Sequence, residues 1–180
     1  QVIGALAGDA NAAVALGSGR LTAGGNNADT TFDGIISGEG GSLVKTGGGT
    51  MTLGATSVNT YTGGTAVNQG TLIVDGSVLG TVSVADGAVL GGDGTVGGVA
   101  VSGVLSPGSS IGSPVVPANA AFGATLAPGS SIGSLNVTAD AIFDGGTLHV
   151  EVDGTDDGSA DLLAVAGRLD ITNAKVDFDV

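Results

Sequence analysis

Residues 105–113 read LSPGSSIGS and residues 126–134 read LAPGSSIGS, so one nine-residue corner is written twice, 21 positions apart. Pro-Gly followed by serines is turn chemistry, because proline presets a bend and glycine tolerates positive φ. A corner that returns after about 20 residues suits a chain winding into stacked coils, each made of two or three short strands. In such a stack, like residues lie over one another at a strand spacing of roughly 4.8 Å. Pro107 is then expected over Pro128, Ser109 and Ser110 over Ser130 and Ser131, and Ile111 over Ile132. The strands TMTLG (50–54) and TLIVDG (71–76) keep the same interval, opened by Thr50 and Thr71. A sandwich or an up-and-down barrel requires no such self-similarity.

The rest of the chain repeats a small unit: Gly, a small residue or Thr, about four alternating apolar positions, then a turn with Gly or Asp. Residues 49–54 (GTMTLG), 70–76 (GTLIVDG) and 80–87 (GTVSVADG) are examples. Alternation and β-branched residues make each a short strand. Helix signal is nearly absent; residues 11–16 and 118–121 offer single turns at most. Glycine supplies 36 of 180 residues and aromatic residues only 3%. The expected core is therefore thin and repeated, filled by Val, Leu, Ile and Ala, with no room for large rings. The fold expected is all-β, a β-solenoid of stacked coils.

Charge and composition remove several classes. A net charge of −13 with four Lys and Arg argues against nucleic acid and against anionic membrane, both of which need clustered cations. Ten of the 17 acids lie in 140–180, where a solvated surface is the simplest account. No apolar run is long enough for a membrane helix. Five aromatic residues and strands of four or five residues do not make a membrane barrel with aromatic girdles, so no direct membrane insertion is expected. Regular Val, Leu and Ile argue against disorder, and the lack of a Gly-X-Y period against collagen.

Catalytic and metal candidates are few. His149 and Glu151 share one face of the alternating stretch 147–152, opposite Leu148, Val150 and Val152, and are expected to be two solvent-facing polar residues. GSSIG at 108–112 and 129–133 matches Gly-x-Ser-x-Gly, with Ser110 and Ser131 at the nucleophile position. A nucleophile elbow leads into a helix and needs a His base, and the chain's one His cannot serve both copies. Asp153, Asp156, Asp157 and Asp161 form an acidic loop without the offsets of an EF-hand or a calcium β-roll. GGDGTVGG (91–98) lacks the Lys and helix of a phosphate loop and is expected to be a corner. The pairs Thr50/Thr52 and Thr60/Thr62 do not extend to a flat array. Arg20, Lys45, Arg168 and Lys175 sit in no acid–base cluster of the sequence. The expectation is no enzyme, no cofactor, no metal and no catalytic residue.

Residues 40–77 carry KTGGGT (45–50), NTYTGGT (59–65) and GTLIV (70–74) in that order. This run resembles the passenger-associated repeat of bacterial autotransporters. PGSSIGSLNV (128–137) and the VEVDG…ADLLAVAGRLDI run (150–171) resemble the C-terminal end of a passenger, so the resemblance covers about 40–180. It implies an all-β, right-handed parallel β-helix, a passenger on the surface of a Gram-negative outer membrane, with its own membrane barrel lying C-terminal to Val180. It also implies two parts: coils over 1–139, and C-terminal coils over 140–180 that act as an autochaperone. The function expected is a stalk or adhesin module and a folding seed, with host or bacterial cell-surface ligands as partners. The alternative is part of a β-helical carbohydrate-active enzyme, which would need a groove holding several carboxylates and a base.

Overall fold

The computed structural model describes residues 1–102, 104–107, 115–116, 120–122, 125–126, 134–151 and 162–179. Among these residues there is no helix, and every named strand pairs in parallel. The chain is a β-solenoid with three faces.

The first face stacks Arg20–Ala23, Ser42–Lys45, Thr65–Val67, the second halves of Ser77–Val84 and Thr95–Val101, then Ala120–Phe122, Ala141–Phe143 and Leu169–Asp170. The second stacks Thr30–Phe32, Thr50–Leu53, Thr71–Val74, Val89–Gly92, Val104–Pro107, Thr125–Leu126, Thr147–Glu151 and Lys175–Asp179. The third holds Ala13–Ala15, Ile35–Ser37, Val58–Asn59, the first halves of the two long strands, Val115–Val116, Ser134–Val137 and Leu162–Val165.

Register confirms the repeat. Thr50 pairs with Thr71, and Leu105 pairs with Leu126, so the two corner copies begin one coil apart. The stretches 108–114 and 127–133, with Ser109, Ser110, Ile111, Pro128, Ser130, Ser131 and Ile132, lie outside the described residues. Coil length is not constant. Thr71 pairs with Val89, Val89 with Val104, and Thr147 with Lys175. The ladder tolerates this because insertions go into corners, where no register is set.

Alternation sends every second side chain inward. On the second face Met51, Leu72, Leu90 and Leu148 are buried, and Met51, Leu72 and Leu90 follow one another in register. Each fully buried aliphatic chain contributes about 1.5–3 kcal/mol, so the column supplies a continuous apolar seam.

Three expectations fail. Large rings do fit: Phe32, Tyr61 and Phe143 are among the largest fully buried side chains. Space comes from missing atoms elsewhere; a Cβ on Gly8 would stand 3.0 Å from the Phe32 ring. Residues 11–16 do not form a helical turn, since Ala13–Ala15 is a strand paired with Ile35–Ser37. Likewise Ala120–Phe122 is a strand, paired with Val99 to Val101. In both, alternate residues have a ladder to join, which outweighs the helix propensity of Ala. Strands are also not limited to five residues, because Ser77–Val84 runs for eight and passes from the third face to the first. Its register shifts between Val78 and Thr81, at Gly80.

At the C-terminal end the apolar residues lose their cover. Val176 and Phe178 stack on Leu148 and Val150, and Leu169 on Ala141. Leu148 and Ala141 are buried, whereas Leu169, Val176 and Phe178 are exposed.

Candidate functional site

The polar chemistry buried in the solenoid concentrates in three knots. The first is built on Lys45. Leu43 points inward, so period two sends Lys45 inward as well, between Ala23 and Val67 in the first-face column. It is 1% exposed. No carboxylate is within ion-pair distance of it among the described residues. Its ammonium instead donates to three backbone carbonyls: Thr46 at 2.9 Å, Gly47 at 2.8 Å and Gln69 at 3.1 Å. An ammonium has three protons, and all three find acceptors. These carbonyls turn inward at the corner, and Lys45 satisfies them as a water would. Burial holds its pKa below the ordinary value, with the charge of Asp29 acting in the opposite direction.

Asn59 makes the second knot. It sits inward on the third face, where its neighbours Ile36 and Val78 are apolar. Its Oδ1 accepts from the Ile36 amide of the previous coil at 3.0 Å. Its Nδ2 donates to the Ser77 carbonyl of the next coil at 3.1 Å and to Ser57 Oγ at 3.1 Å. One side chain therefore joins three coils.

The third knot is Tyr61 with Thr65, both buried, whose hydroxyls hydrogen-bond to each other. Burial pushes the Tyr61 pKa up to about 12, and the Thr65 bond opposes this. Between pH 10 and 12 the unfolded chain releases this proton while the folded one keeps it. Stability from Tyr61 is thus full below pH 10 and is lost as pH rises, by about 3 kcal/mol for two pKa units. Lys45 acts with the opposite sign, because its lowered pKa makes folding easier as pH climbs towards its ordinary value near 10.5. Comparing the protein with Tyr61→Phe isolates the first effect. Alkaline destabilisation is expected to shrink in the variant, and tyrosinate absorbance reports this single Tyr alone. An ordinary titration near pH 10 in the folded protein would contradict the assignment.

Exposed side chains finish the same segment. Asn27 Oδ1 accepts from the Gly48 amide at 2.8 Å and Asp29 Oδ1 from the Thr50 amide at 2.7 Å. Gln69 Oε1 accepts from Thr46 and Gly47, and Thr62 Oγ1 from the Gly40 amide.

The residues singled out from sequence are scattered. His149 is paired in register with Asp177, its Nδ1 3.9 Å from the carboxylate, and Lys175 lies 3.3 Å from the same carboxylate. Arg168 pairs with Asp170 at 3.2 Å, and the bond from Thr172 holds the exposed Asp170 carboxyl below its ordinary pKa. Ser110, Ser131, Asp153, Asp156, Asp157 and Asp161 lie outside the described residues. Of GGDGTVGG, only Asp93 and Gly94 form the corner; Gly91 and Gly92 end the strand Val89–Gly92, and Thr95 onward is strand. Among the described residues no three His, Asp or Glu side chains gather as a metal site. Two shallow grooves run along the outer side of the first face. One of about 600 Å³ has Ala66, Ser83 and Ala100 on its floor and Asp144 as its charged lining residue. The other, about 340 Å³, holds Arg20 and no carboxylate. Among the described residues, neither brings an acid and a base together.

Sequence reasoning noted Lys45 only as one of four cations outside any acid–base cluster. The signal for its burial was present, since strict alternation from Leu43 points it into the core. Asn59 and Tyr61 had no comparable signal, because Asn59 ends a two-residue strand and Tyr61 lies in the corner after it.

A three-faced parallel solenoid in which the buried Lys45 and Asn59 bond from coil to coil is a stacked-repeat scaffold. Residues 43–74, which span all three knots, match the family model described as the passenger-associated-transport-repeat. Repeat and solenoid together support a segment of a bacterial autotransporter passenger. That family implies a secreted or surface-displayed protein of Gram-negative bacteria. No curated protein matches the chain. No helix among the described residues is long and apolar enough to cross a membrane.

Proposed function

We propose that this chain is a stalk segment of an autotransporter passenger, displayed outside the outer membrane and without catalytic activity. Its own membrane barrel lies further along the polypeptide, and contacts with host or neighbouring cells are spread over its outer faces. One observation carries this reading: the residues that define the repeat are consumed inside the fold. Lys45, Asn59, Tyr61 and Thr65 are each 3% exposed or less, so none is available to a ligand. A repeat that spends its polar groups on stacking acts through length, stiffness and surface.

In the same reading, residues 140–180 seed folding. Supporting this, Thr147–Glu151 and Lys175–Asp179 pair over five residues, the longest register on the second face among the described residues. A first coil has no neighbour to bury against, so a stable terminal pair lowers the barrier to adding the next. Deleting 140–180 from the full-length chain is expected to leave the remainder protease-sensitive at the cell surface. Protease-resistant display at the normal level would remove the seeding role. Cleavage of any member of a polysaccharide panel, with or without calcium, would overturn the non-enzymatic assignment.

A further inference from the structure

Lys45 lies on the first face and Asn59 on the third, with Tyr61 and Thr65 at the corner that follows, and Lys45 and Asn59 each reach beyond their own coil. Lys45 has two acceptors in its own corner but takes its third from Gln69, one coil on. Without the coil carrying Gln69 and Val67, a buried ammonium is left with an unfilled bond and an uncovered stem. Burying a charge without its full set of partners is costly. Asn59 makes the same demand twice, upstream for the Ile36 amide and downstream for the Ser77 carbonyl. Gln69 Oε1 adds bonds back to Thr46 and Gly47, and Thr62 to Gly40.

The neighbouring segment is held differently. Between 77 and 102, where every residue is described, the coils are joined by backbone ladders, and one side-chain bond bridges two of them, from the Asp93 amide to Asp75 at 3.4 Å. A ladder opens one rung at a time; a polar network whose members each need two coils does not.

We infer that the knots form a latch that makes residues 36–77 a single cooperative block, which folds and opens as a unit, whereas the coils after it open separately. This is a conformational device in the fold, independent of what the outer faces contact. It puts the most resistant part of the chain in the repeat, away from the C-terminal pair.

Native-state hydrogen exchange on the 180-residue chain tests it. The amides of Leu43, Thr60, Asn68 and Ser77 each donate across a coil boundary within the block, whereas that of Thr95 joins the next coil to the block's edge at Gly76 and that of Ser102 donates to Val84 beyond it. The first four are expected to share one opening equilibrium and to exchange at least about tenfold more slowly than the last two. Unequal protection among the four, or equal protection of all six, overturns the proposal. In Lys45→Met the four are expected to lose protection together, by about a hundredfold, with Thr95 and Ser102 changed little. Loss confined to Leu43 and Asn68, while Thr60 and Ser77 hold, would show independent coils. Should Lys45→Met not fold, Gln69→Ala removes only the two side-chain bonds to Thr46 and Gly47. A common loss of several-fold across the four supports the latch, and a loss limited to Leu43 and Asn68 sinks it.

Discussion

Replacing Tyr61 with alanine is expected to destabilise the protein by about 4 kcal/mol, the usual range for removing a buried ring. The ring has no solvent exposure. It fills the corner between the third-face strand Val58–Asn59 and the first-face strand Thr65–Val67. Coils on both sides are tied down by Asn59 and Lys45, so the corner has little freedom to collapse into the void. The variant also strips Thr65 of its hydroxyl partner, and Thr65 is 3% exposed. Urea unfolding followed by circular dichroism should show a lower midpoint with little change in slope. Tyr61→Phe keeps the ring and is expected to cost about 1–2 kcal/mol, the penalty for one unpaired buried hydroxyl. A loss under about 1 kcal/mol in the alanine variant would mean that the ring is not part of the core.

Gly24→Ala is expected to cost about 3–4 kcal/mol, from two separate sources. Gly24 has φ of +105°, outside the range of ordinary side chains, and a Cβ there would lie 2.2 Å from the Thr46 carbonyl oxygen of the next coil. The dihedral accounts for about 1–2 kcal/mol. Forcing adjacent coils apart adds about 1–3 kcal/mol. That same carbonyl is an acceptor of Lys45, so the displacement also loosens the latch. Two further glycines separate the terms. Gly87 has φ of +74° with nothing near its Cβ, so Gly87→Ala should show only the dihedral cost of about 1–2 kcal/mol. Gly25 has neither constraint, and Gly25→Ala should lie within about 0.5 kcal/mol of the unmodified protein. The order Gly24 > Gly87 > Gly25 in thermal or urea stability is the check. Equal effects at Gly24 and Gly87 would show that the coils are not in contact at that corner.

The stacked-coil architecture was legible because it rests on periodicities of the chain itself. Thr50 and Thr71, and Leu105 and Leu126, announce their pairing by identical spacing. Alternation alone placed Met51, Leu72 and Leu148 in the core. Lys45 was legible by the same alternation, yet its charge class suggested a surface. Composition misled on the rings, since few aromatic residues is not none, and a coil can widen where a neighbour is glycine. Ala13–Ala15 was opaque because its strand exists only through Ile35–Ser37.

Local order in the chain, then, determined what can be read from local rules: β-strands of period two, turns at Gly, Pro and Asp, and a repeat near 20 residues that makes strands stack in parallel. Tertiary structure alone decided which side chains bridge coils. Whether a carbonyl at a corner turns inward, and whether Lys45 or Asn59 reaches it, depends on atoms from residues 18 to 24 positions away. Those distances are set by how one coil seats on the next, and no local pattern encodes that seating.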